Sequence, residues 1–190
     1  MKTKLIGTVT GIYLGQHRHS SIESSRVQCL KATFEGFEGD LHAGLTRLSD
    51  VRVPHYPRGT VIRNTRQFSM LSIEELAEIA HAMQIPEVLP EWAGANLAMP
   101  CIANLTMLPP STRICFPDDA VLVVDAENMP CTGPGEVIQQ HYPDVPKLVQ
   151  RFPKAAMHKR GVVGWVEREG YIAEGDTVWL VLPPKVTYSY

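Results

Sequence analysis

Cysteine is scarce in this 190-residue chain, and its four copies share no pattern. Cys29, Cys101, Cys115 and Cys131 make no CxxC pair and no Cys/His spacing of the kind that holds zinc or an iron–sulfur cluster. Long hydrophobic runs are missing too. None approaches the roughly 18 apolar residues that a membrane span needs, and the first residues enter a β-like alternation with no apolar leader core. The expected compartment is therefore the cytoplasm, with reduced thiols and no membrane partner. Neither sign of charge dominates: Lys plus Arg number 18 and Asp plus Glu 20, a net charge of -2. That balance gives no general attraction to nucleic acid, although it leaves room for a local basic pocket. Repeats and low-complexity tracts are absent.

With 44% hydrophobic and 20% charged residues the composition is that of an ordinary folded protein. The length suits one domain over 1–190, with a core that needs no staples. Residues 5–14 alternate and are β-branched, with Gly7 and Gly11 as bends or bulges. Residues 27–34 read as a partner strand. Apolar periodicity then stops over 35–59, where Gly36, Gly39, Gly44, Pro54, Pro57 and Gly59 mark a long loop, a length that often signals function. Residues 66–71 suggest a short strand. The pair Ser72 and Glu75 resembles a capping box, ahead of a helical stripe of Leu76, Ile79, Ala80 and Met83 that ends before Pro86. Residues 94–99 return to strand character.

Residues 113–116 and 120–124 flank Pro117-Asp118-Asp119 as a β-hairpin. The stretch 128–135, Asn-Met-Pro-Cys-Thr-Gly-Pro-Gly, is expected to be irregular. Residues 136–152 hold two short helices divided by Pro143 and Pro146, and 161–182 is again β. The pattern predicts a mainly β fold with a few short helices, antiparallel pairing, and closure into a barrel that hides strand edges. No βαβ rhythm supports a doubly wound sheet.

Several of these pieces, in order, resemble one family. Gly36-Phe37-Glu38-Gly39-Asp40-Leu41-His42-Ala43-Gly44, with Arg47 after it, resembles the GxxGDxHxG block of MOSC domains (molybdenum-cofactor sulfurase C-terminal domains). Arg66-Gln67 with Leu71-Ser72, Gly94-Ala95-Asn96-Leu97, and Leu108-Pro109-Pro110 followed by Arg113-Ile114 resemble the family's next segments, although Ser111 stands where Gly is common. Pro130-Cys131 after a strand, and Arg160-Gly161 through Gly175-Asp176, complete the series over almost the whole chain. The resemblance implies a closed or partly open MOSC β-barrel, like the barrel domain of pyruvate kinase. It implies molybdenum-cofactor (molybdopterin) chemistry or sulfur carriage, with no fused desulfurase and no pyridoxal phosphate site.

The residues themselves fit that chemistry in named roles. Cys131, in a loop beside Pro130 and Gly133, is the candidate thiolate, either as persulfide carrier or as metal ligand; its bland alternative is a buried inert cysteine. His42 is the second catalytic candidate, as proton donor, acceptor or ligand. Gly39 and Gly44 permit close backbone approach, Asp40 can fix a turn, and Arg47 offers a fork for phosphate; the same loop reads equally as a structural turn. Asn96 is a candidate for a pterin edge or a bend, and Arg66, Arg113, Lys159 and Arg160 are candidate phosphate contacts, with Arg160 foremost. Cys29 and Cys115 are expected in the core, and Cys101 exposed. Trp92, Trp165 and Trp179 are expected in the core or barrel wall, and His17 and His19 offer only a weak metal spacing. Three functions remain open: a cofactor-binding or sulfur-carrier protein, a molybdenum-dependent reductase of N-hydroxylated compounds, or a non-catalytic module. The first two require a separate protein, a cysteine desulfurase or an electron donor.

Overall fold

The computed structural model describes residues 5–16, 21–185 and 187; His17 and His19 lie outside them. The strands are β1 (Leu5–Thr8), β2 (Gly11–Gly15), β3 (Ser24–Val27), β4 (Cys29–Thr33), β5 (Gly36–Phe37), β6 (Thr46–Leu48), β7 (Val61–Arg63) and β8 (Phe68–Ser72). After helix α1 (Ile73–Met83) come β9 (Leu97–Met99), β10 (Arg113–Cys115) and β11 (Val121–Glu127). Helices α2 (Gly133–His141) and α3 (Leu148–Ala155) precede β12 (Val162–Arg168), β13 (Gly170–Ala173) and β14 (Thr177–Val181).

Nine strands form one curled sheet in the order β1-β14-β10-β11-β12-β8-β9-β2-β3, an open, partly closed barrel. Its pairs are antiparallel except β8 with β9, which run parallel because α1 and the turn after it carry the chain back. Two register shifts bend β11 where it crosses β12. Gly164 lets them close, since a Cβ there would lie 1.9 Å from the Val123 carbonyl oxygen. The gap between the sheet's ends is bridged by the chain itself. Val9 N–H donates to Asp176 O (3.0 Å) and Thr10 N–H to Ala98 O (2.9 Å). Residues 5–14 are accordingly two strands at distant places in the sheet, not one bent strand.

Inside the curl lies a core that includes Ile12, Phe68, Met70, Leu97, Leu122, Val124, Val166 and Leu180. A second core forms outside, where the α1 stripe of Leu76, Ile79, Ala80 and Met83 packs with Ile138, Leu148 and Phe152 onto Leu71 and Ala98. Every residue of β8 is buried, because it is sandwiched between the two cores. Ser72 caps α1 as expected, accepting from the Glu75 N–H at 3.3 Å. The Glu75 side chain does not return the bond as a capping box would. It turns inward to accept from Thr106 N–H (3.1 Å) and Thr106 Oγ1 (2.7 Å).

Other expectations need correction. Residues 27–34 break at Gln28 into β3 and β4, which join different sheets. The supposed loop 35–59 contains β5 and β6, and β6 pairs with β7 as a two-stranded arm. The 128–135 stretch is irregular only to Thr132. Helix α2 begins at Gly133, where a first-turn proline is no obstacle because its missing N–H would have no partner anyway. Cys29 is exposed, on the outward face of a strand whose buried residues are Leu30 and Ala32. Among the described residues, no helix is long and apolar enough to cross a membrane.

Candidate functional site

A cavity of about 650 Å³ opens between the arm, the start of β8, the 93–96 turn and the segment leading into α2. Cys131, His42, Arg47, Arg66, Asn96 and Arg160 all line it. Residues far apart in sequence thus converge because β8 and β12 are neighbours, and the loops at that end of the sheet fold over them.

Cys131 is exposed at this cavity, in the short link between β11 and α2. The N-terminus of α2 lies two residues on, and its N-cap Thr132 makes no side-chain capping bond. Partial positive charge from the helix end therefore lies beside the sulfur.

The 36–44 loop is arranged around Asp40. Its side chain is fully buried, and its carboxylate accepts from Gly15 N–H (2.8 Å), Asn96 Nδ2 (2.7 Å), His42 N–H (2.8 Å) and His42 Nδ1 (3.0 Å). Burial pushes its pKa up, but the donors from His42 and Gly15 outweigh that and hold it below the usual carboxylate value. Asp40 thus orients His42 through Nδ1 and leaves Nε2 to the half-exposed side, where the imidazole meets the cavity. Gly39 (φ +83°) and Gly44 (φ +142°) sit in backbone regions that favour glycine. Gly39, Asp40 and Gly44 stand behind the cavity lining and shape the loop that carries His42.

Asn96 lines the cavity with its amide already committed to the protein. Oδ1 accepts from Ser69 N–H (2.9 Å), and Nδ2 donates to Tyr13 O (3.2 Å) and Asp40 (2.7 Å). Asn64 does similar work at the base of the arm, donating to His42 O (2.8 Å) and Gly44 O (3.1 Å). Gln67, wholly buried, donates to Phe34 O and Gly44 O and accepts from Val166 N–H.

The arginines set the cavity's electrostatics. Arg160 is 7% exposed; Nη2 donates to Ala93 O, while Nη1 is buried with no partner among the described residues. Burial, opposed by Cys131 and reinforced by Arg66, pulls its pKa down to about 10. Arg66 donates to Asn128 Oδ1 at 2.8 Å, and burial together with the charges of Arg52 and Arg47 brings it to about 10 as well. Arg47 Nε is also buried with no partner among the described residues. Among the described residues Asp50 is the one lining carboxylate, 2.9 Å from Arg52 and 3.6 Å from Arg47. Four guanidiniums facing one carboxylate make a pocket for an anion.

Two candidates fall elsewhere. Arg113 forms a fork with Glu167 (2.6 and 2.8 Å) on the exposed wall, and Lys159 pairs with Glu78 at 2.8 Å. Arg52, Asp50, Asn64 and Asn128 were not singled out in the sequence. The first two lie in a stretch without periodicity, and only their charge offered a signal. Among the described residues no group of three His, Cys, Asp or Glu is placed to hold a metal ion.

A family profile of the MOSC domain matches residues 40–179. The chain belongs to the MOSC domain family. It is 43% identical over 178 residues to YuaD of Bacillus subtilis (strain 168), a relative named for a suggested part in metal-sulfur cluster biosynthesis; the match covers 94% of this chain and 92% of that one. The crystal structure of B. subtilis YuaD superposes with a TM-score of 0.92 at 41% identity, over 97% of this MOSC protein and all of the other. The crystal structure of YiiM from Geobacillus stearothermophilus, at 14% identity, has a TM-score of 0.64 over 92% of this chain and 75% of its own, a likeness of fold.

Proposed function

We propose that this MOSC protein binds the molybdenum cofactor in the arginine-lined cavity, with the sulfur of Cys131 as a ligand to the metal. The observation that carries the reading is the sharing of one cavity by an exposed thiol and a buried guanidinium whose Nη1 has no partner among the described residues. A buried donor without an acceptor costs free energy unless a ligand supplies one, and a phosphate-bearing pterin supplies one of the right charge. Arg160, Arg66 and Arg47 would hold the phosphate, and Cys131, a soft ligand, would meet the metal. The residues present therefore fit the group. When bound, it would supply two-electron redox chemistry. His42, held by Asp40, stands ready to give or take a proton through Nε2.

A second reading is favoured by the exposure of Cys131. A sulfur at the open mouth is accessible to another protein, as a persulfide carrier must be. The relative's metal-sulfur name is compatible with it.

The experiment is metal analysis of protein purified from cells able to make the cofactor, with Cys131→Ser and Arg160→Gln in parallel. Molybdenum near one equivalent, reduced in both variants, supports cofactor binding. No molybdenum, but an added sulfur mass on Cys131, selects the carrier reading. Neither would remove both.

A further inference from the structure

Among the described residues the β6–β7 arm pairs with no third strand, and Arg63 at its base stacks over Trp165 of β12. The arm is a sheet of two strands with no further strand on either edge among the described residues, and its β6 side lines the cavity. An isolated two-stranded ribbon is marginal unless something covers it. Its surface is unusually apolar: Leu48 (62% exposed) and Val61 (66%) are register partners on one face, and Val51 (73%) and Tyr56 (46%) project from the link between the strands. Around them residues 45–63 carry four arginines, Arg47, Arg52, Arg58 and Arg63, against the single carboxylate of Asp50, on a chain whose net charge is -2. Exposed apolar side chains gathered on one arm mark a contact surface. Arg47 turns into the cavity, while Arg52, Arg58 and Arg63 are exposed, and their surplus of two positive charges over Asp50 selects an acidic partner. Met129 (50% exposed) and Ile22 (38%) continue the apolar rim on the lining that also carries Cys131.

We infer that the arm is the docking surface for a protein persulfide donor with an acidic rim around an apolar contact, which sets its persulfide against Cys131. This rests on the carrier reading of the site. In the exchange the Cys131 thiolate attacks the outer sulfur of the donor's cysteine persulfide. The donor's S–S bond breaks, a new S–S bond forms on Cys131, and the donor cysteine leaves as a thiolate. The proton count is unchanged, and no outside oxidant or reductant is needed.

The test compares two donors of labelled sulfur, a purified cysteine desulfurase loaded from 35S-cysteine and glutathione persulfide. Two variants lie away from the cavity lining, Val51→Ser with Arg58→Glu, and Val61→Thr. Expected is a fall of roughly tenfold in transfer from the desulfurase for the double variant, a smaller fall for Val61→Thr, a steep decline of wild-type transfer with salt, and unchanged labelling by glutathione persulfide. Equal transfer from the desulfurase in all three proteins overturns the docking surface while leaving the carrier reading intact. So do an equal loss with both donors, loss only of binding to phosphatidylglycerol vesicles, or dissociation of a dimer of this chain with transfer unchanged. Labelling by neither donor removes the carrier reading itself, and the docking surface with it.

Discussion

Replacing Arg160 by methionine should make the empty protein more stable. The guanidinium is 7% exposed, and burial draws its pKa down to about 10. At about 1.4 kcal/mol per tenfold change in proton affinity, that displacement sets about 3 kcal/mol against the charged form at neutral pH. Methionine removes the charge and fills similar space. It leaves Ala93 O without its donor, at a cost of about 1–2 kcal/mol. The net gain is about 1–2 kcal/mol, or roughly 2–8 °C in melting temperature for a chain of this size. Thermal unfolding in phosphate-free buffer at pH 7 measures it. The same titration with inorganic phosphate should stabilise the wild type, by about 2.7 kcal/mol at a hundredfold excess over Kd, and should leave Arg160→Met unmoved. A variant that melts below the wild type would mean that Arg160 is a structural ion, and the account of the cavity as a prepared anion site would fail.

Cys131→Ser should change unfolding free energy by no more than about 0.5 kcal/mol, because the side chain is exposed, while abolishing any sulfur adduct in intact mass. Asp40→Asn should cost about 3 kcal/mol by urea unfolding, since a buried carboxylate with four donors around it cannot be matched by an amide. Asp40 is held below its ordinary value, so its contribution is present above about pH 4 and is lost as pH falls through the lower folded value; Asp40→Asn should flatten that acid limb. Glu75 has the opposite sign. Burial raises its pKa despite the Thr106 bonds, so its contribution is full below its ordinary value near 4.5 and fades as pH rises through the folded one. The pH dependence of Glu75→Gln unfolding, compared with wild type over that range, reads this directly.

Local patterns that reflect local physics were legible. The α1 stripe, the hairpin of β10 and β11 and the division between α2 and α3 all follow from periodicity and turn chemistry within a few residues. The residues converging on the cavity were readable only through the ordered series of MOSC-like segments, because Cys131, His42 and Arg160 meet by strand neighbourhood rather than by spacing. The break at Val9 and Thr10 escaped notice because both residues suit a strand. Only the tertiary need to bridge the sheet's ends separates β1 from β2. Gly133-Pro134-Gly135 looked like a breaker, yet a helix start tolerates what a helix interior does not. Cys29 was misjudged because a small apolar residue in a strand carries no mark of which face it takes.

The buried polar groups link the site to the scaffold. Glu75, on the buried face of α1, fixes Thr106, whose hydroxyl accepts from Gly161 N–H at 2.7 Å. Gly161 O in turn accepts from Asn128 N–H at 2.8 Å, and Asn128 Oδ1 holds Arg66. Arg160 is the residue immediately before Gly161, so both buried cavity arginines hang on one hydrogen-bonded chain anchored outside the barrel. Gly161 has φ +75°, and a Cβ there would lie 1.9 Å from Met70 O, so the chain cannot shift to make room. Gly161→Ala should therefore cost about 3 kcal/mol or more by urea unfolding. Where any of it folds, phosphate stabilisation should be lost along with the position of Arg160. Retention of both stability and phosphate response would show that the arginines are held by something other than this chain of bonds.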